Sequence, residues 1–72
     1  MKNLKLIRVT NDFTQLKVQI ETGISQSIIS KYETGELMPT TENLTVLADF
    51  FGTSLDYLMD RTSVKTPYPP KM

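Results

Sequence analysis

The chain of 72 residues contains no cysteine and no histidine. Those absences remove disulfides, the common zinc frameworks, a thiolate nucleophile, an imidazole base and every Ser–His pairing. Glycine is scarce: Gly23, Gly35 and Gly52 lie too far apart to cradle a phosphate in one loop. No apolar run approaches the roughly 18 residues of a membrane span, and the Met1 end has no signal-peptide pattern. The expectation is a soluble, cytoplasmic protein that is not an enzyme. No cofactor, metal, small-molecule substrate or membrane partner is expected.

A chain this short buries only about 60% of the surface its unfolded form exposes. With disulfides and metal excluded, a partner subunit is the remaining source of added stability. Net charge is zero, yet its distribution is uneven. From Met1 to Tyr32, five basic residues stand against Asp12 and Glu21; from Glu33 to Asp60 there are six acidic residues and no base. Arg61, Lys65 and Lys71 follow. A basic front, an acidic back and a basic end are compatible with a nucleic-acid face, or with clustering on a solvated surface.

The apolar spacing is helical throughout, with no alternation long enough for a sheet. Leu4 and Ile7, with Leu6 beside them, give a first short helix ending near Asn11–Asp12, both turn formers. Thr14 reads as the N-cap of a second helix from Gln15 to Thr22, closed by Gly23, which tolerates positive φ. Ser25 reads as the cap of a third, from Gln26 to about Thr34, closed by Gly35. Pro39 bars continuation, and Thr40 caps a fourth helix with Leu44, Leu47, Ala48 and Phe51 on one face. Gly52 ends it, and Ser54 caps a fifth with Leu55, Leu58 and Met59. The expected class is all-α, a compact five-helix domain over 1–61. A short Pro-rich C-terminal tail follows over 62–72, carrying Pro67, Pro69 and Pro70.

The informative pair is the two short helices between Thr14 and Thr34. Their connection around Gly23 is too tight to return the chain antiparallel, so they cross steeply. That geometry sets one helix across a DNA backbone while the next enters the major groove.

At these residues the chain resembles the lambda-repressor-like (Cro, Xre-type) helix-turn-helix family of bacterial and phage regulators. Thr14-Gln15, Val18-Gln19 and Gly23-Ile24-Ser25 look like that family's second helix and turn. The stretch from Ser25 to Gly35, then Pro39, is similar to its recognition helix and exit. Leu44, Leu47-Ala48, Phe51, Ser54-Leu55-Asp56 and Leu58 resemble its last two helices. One departure stands out: Gln19 replaces a small alanine. It implies either a wider crossing or a side chain leaning to solvent.

The resemblance implies a homodimeric transcriptional repressor on a palindromic duplex site. Gln26, Ser27, Ser30 and Lys31 would meet base edges, residue types suited to adenine and guanine. Gln15, with Lys17, Thr34, Met38 and Asn43, would approach the DNA backbone. Arg8 and Glu33 would form a supporting ion pair, and Leu55, Met59 and Tyr68 a subunit interface. The expected core is Leu4, Ile7, Phe13, Val18, Ile24, Ile29, Tyr32, Leu44, Leu47, Ala48, Phe51, Leu55 and Leu58, with Ile20 and Ile28 at its edge. The alternatives are an antitoxin that binds a toxin and autoregulates, or a protein-interaction module on the same fold.

Overall fold

The computed structural model describes residues 1–66. Five helices follow in order: α1 (Lys2–Thr10), α2 (Gln15–Thr22), α3 (Gln26–Thr34), α4 (Thr41–Phe51) and α5 (Leu55–Leu58). No strand occurs among the described residues. Four helices begin in the same way. Thr14, Ser25, Thr40 and Ser54 hold extended φ/ψ, and each hydroxyl accepts from the amide three residues on. Each cap thereby satisfies one of the amides that a helix start leaves without a partner. The turns after α2 and α3 close on Gly23 (φ 79°) and Gly35 (φ 86°), left-handed positions where a Cβ would be strained.

The first helix starts differently. Met1 supplies no side-chain cap. Instead Asp60, 58 residues on, accepts from the Lys2 amide at 2.9 Å and the Asn3 amide at 2.8 Å, one with each carboxylate oxygen. An anion at a helix N-terminus also meets the positive end of its dipole. Asp60 reaches this place from a left-handed φ of 62°, which a short polar side chain tolerates. The first and last helices are thus joined by a cap as well as by packing.

The core comprises Leu4, Ile7, Val18, Ile24, Ile29, Tyr32, Leu47, Ala48, Tyr57 and Leu58. Helix α1 packs on α3 and α5, and α2 packs on α3 and α4. Phe13, Ile28, Leu44 and Phe51 are half-buried against this core. Phe13, Phe50 and Phe51 form an aromatic cluster, with centroids 5.4 Å apart for Phe13–Phe50 and 4.9 Å for Phe50–Phe51. That cluster fastens the approach to α2 onto the end of α4.

Two apolar expectations are corrected. Ile20 is 68% exposed, so it belongs neither to the core nor to its edge. Leu55 is 41% exposed: α5 is only four residues long and turns Tyr57 and Leu58 inward instead. Residues 62–66 are hydrogen-bonded to the domain. The Lys65 carbonyl accepts from the Ser54 amide at 2.9 Å and the Thr53 hydroxyl at 2.6 Å, and the Val64 carbonyl accepts from Ser54 Oγ.

Candidate nucleic-acid interface

Helices α2 and α3 sit side by side, joined by Gly23, Ile24 and Ser25. Ile29 and Tyr32 point α3 into the core. Residues three apart lie on one face of a helix, so the opposite face of α3 looks outward. That face carries Gln26, Ser27, Lys31 and Thr34, all exposed, and the half-buried Ser30. Among the described residues, the side chains of Gln26, Ser27, Ser30 and Lys31 have no hydrogen-bond or ion-pair partner. A run of unpartnered donors and acceptors on an exposed face is ready to exchange water for base edges.

Other expected backbone-contacting residues are more engaged. Lys17 pairs with Glu21 at 2.9 Å, and its amide is taken by Thr14. Asn43 gives its amide to Thr40 Oγ1 and donates from its side chain to the Tyr32 hydroxyl at 2.9 Å. Gln15 is half-buried, its Nε2 donating to Glu33 Oε1 at 3.1 Å, which leaves one N–H and the carbonyl oxygen. Thr34 donates to the Lys31 carbonyl, and Met38 is 64% exposed in the loop after α3. Leu55 is exposed and Met59 half-buried; Tyr68 lies outside the described residues.

Beneath this surface Arg8 and Glu33 are brought together. Arg8 Nε donates to Glu33 Oε2 at 2.6 Å and an Nη to Oε1 at 3.1 Å, while the other Nη donates to the Phe13 carbonyl at 2.8 Å. Their side chains are only 11% and 4% exposed. A bidentate pair at this depth fixes orientation, because a planar fork meets a carboxylate in one geometry. One guanidinium therefore holds α1, the approach to α2 and the end of α3 in a single arrangement.

Sequence reasoning missed one residue at this site and the contact made by another. Lys5 lines a hollow of about 230 Å³ with Arg8, Gln15, Ser30, Glu33 and Thr34. Because Arg8 is neutralised by Glu33, the Lys5 ammonium is, among the described residues, the uncompensated cation there. Its position three residues before Arg8 on the same helix face was the available signal. The other is Gln19. It does not lean to solvent: it is half-buried, and its Oε1 accepts from the Gln26 amide at 2.6 Å.

A helix-turn-helix family model matches residues 4–58, from within α1 to the end of α5. The chain belongs to this helix-turn-helix family, of the Cro and Xre type, whose members are DNA-binding regulators. It is similar to the cryptic phage CTXphi transcriptional repressor RstR of Vibrio cholerae, 46% identical over 48 residues. That match spans 67% of this chain and 43% of the repressor. It is also similar to the antitoxin PezA of Streptococcus pneumoniae, 38% identical over 53 residues, 74% of this chain and 34% of PezA. The matched part is thus less than half the length of either curated relative. No solved structure matches the chain. No described helix is long and apolar enough to cross a membrane.

Proposed function

We propose that this chain is a sequence-specific double-stranded DNA-binding regulator, acting as a homodimeric repressor on a palindromic operator. The observation that supports the reading is the outward face of α3, where the side chains of Gln26, Ser27, Ser30 and Lys31 have no partner among the described residues. In this reading α3 enters the major groove. The Gln26 carboxamide meets adenine, Lys31 meets guanine, and the two serine hydroxyls adapt to either. Gln15, Lys17, Thr34, Met38 and Asn43 flank the phosphates, and Lys5 joins them from α1.

Occlusion is the mechanism: a protein seated on an operator blocks polymerase. A two-fold protein suits a two-fold site. Leu55, Met59 and Tyr68 are the interface residues of this reading, and the exposure of Leu55 supports it. The similarity to PezA favours a second reading, in which the same DNA-binding surface serves an antitoxin that also binds a protein toxin.

Fluorescence anisotropy with a labelled duplex, followed from 50 to 300 mM salt, tests DNA binding directly. Binding whose logarithm falls linearly with log salt supports the reading, since phosphate contacts release counterions. Absence of binding at low salt by a folded protein would move it to a protein-interaction module.

A further inference from the structure

The turn that hands the chain from α2 to α3 is organised around one side chain. Gln19 accepts twice: its main-chain carbonyl from the Gly23 amide at 2.8 Å, and its side-chain Oε1 from the Gln26 amide at 2.6 Å. Between them, Thr22 Oγ1 accepts from the Ile24 amide at 3.2 Å and donates to the Val18 carbonyl at 2.7 Å. Gln26 is the first residue of α3, and the amides of a helix's first turn have no partner within the helix. Ser25 Oγ supplies the partner for Ile28. Gln19, from the neighbouring helix, supplies the one for Gln26.

Those two attachments differ in what they constrain. The Ser25 cap is local to α3 and would travel with that helix if it tilted. The Gln19 bond spans two helices, so it fixes the start of α3 relative to α2. Gln26 and Ser27, the residues nearest that bond, also carry the exposed side chains at the head of α3. We infer that Gln19 is a positioning residue for DNA reading: its Oε1 sets the first turn of α3, and so decides how Gln26 and Ser27 present themselves to base edges. This rests on the DNA-binding reading above and adds the device that tunes its selectivity. Contacts to phosphate are set by other residues. Gln19 therefore governs the preference for one sequence over another and leaves the electrostatic part of binding alone.

Gln19→Met and Gln19→Ala are compatible with α2, since both residues are good helix formers, and circular dichroism checks that each variant is folded. Met keeps the length without the acceptor, Ala removes both, and Gln19→Glu keeps the acceptor. Two readouts decide. In the free protein, amide exchange at Gln26 should speed up in Gln19→Met and Gln19→Ala and stay slow in Gln19→Glu. On DNA, the duplex consensus selected by the wild type from a random library is compared with a scrambled duplex. Loss of one hydrogen bond's worth of alignment should cut that preference about fivefold in Gln19→Met, with the salt slope unchanged. Unchanged exchange, or faster exchange with an unchanged preference, overturns the assignment. If the wild type enriches no duplex, the DNA-binding reading fails instead, and Gln26 exchange still decides whether Gln19 holds α3.

Discussion

Arg8 and Glu33 meet across 25 residues of chain in a two-point contact, Nε to Oε2 at 2.6 Å and Nη to Oε1 at 3.1 Å. The pair connects α1 to the last turn of α3, and Gln15 adds a third donor to the same carboxylate. Breaking one side leaves a buried charge without compensation. Arg8→Ala is expected to cost about 3–5 kcal/mol, while the paired change Arg8→Met with Glu33→Leu restores most of the loss. Urea denaturation of the two variants and the wild type measures both. A small loss in Arg8→Ala would mean the pair is solvated and contributes little to orienting α3.

Gly23 has a φ of 79°, and a Cβ built there would meet nothing within 4 Å. The cost of Gly23→Ala is therefore conformational rather than steric, about 1–2 kcal/mol. Gly23→Asn should cost less, since Asn visits the left-handed region more readily. Thermal melts order the three proteins as wild type, Asn, Ala; an Ala variant as stable as the wild type contradicts this account of the turn.

The charge ledger of the DNA face gives a salt prediction. Lys5→Gln should lower the slope of log affinity against log salt by about one, the loss of a single phosphate contact. Lys17→Gln should change it less, because Lys17 is already paired with Glu21 at 2.9 Å. An unchanged slope in Lys5→Gln would remove Lys5 from the interface.

Much of the fold is legible in the sequence because its signals are local. A hydroxyl at Thr14, Ser25, Thr40 or Ser54 caps an amide three residues away, and Gly23, Gly35 and Gly52 end their own helices. What was not legible depends on partners far along the chain. Asp60 looks like one more acidic residue at the end of α5, yet it caps α1. Tyr57 is 2% exposed because α5 packs on α1, which no short-range pattern reports. Ile20 lies on the outer side of α2, where hydrophobicity alone suggested burial. At the site, the outward residues of α3 could be read from periodicity. The bond from Gln19 to Gln26 could not, since it depends on how closely two helices approach.

Residues 62–66 supply the carbonyls that engage Thr53 and Ser54. Ending the chain after Arg61 removes those acceptors, and Thr53 and Ser54 are both only 4% exposed. A truncation at 61 should destabilise the domain by about 1–3 kcal/mol, from buried donors left unpaired. Ser54→Ala in the full chain should lose about 1 kcal/mol or more, through the cap of α5. Calorimetry of both against the wild type checks this; an unaffected truncation would show that the segment only rests on the surface.

Sequence readout by α3 is decided by selecting bound sites from a random duplex library. The wild type and the Gln26→Ala/Lys31→Ala double variant are run side by side. A palindromic consensus is expected for the wild type and should degrade in the double variant, each lost contact removing about 1–3 kcal/mol of discrimination at its base pair. Half-sites about one helical turn apart would mark a dimer. A wild type that is folded yet enriches no site, or a double variant with an unaltered consensus, would contradict readout by α3.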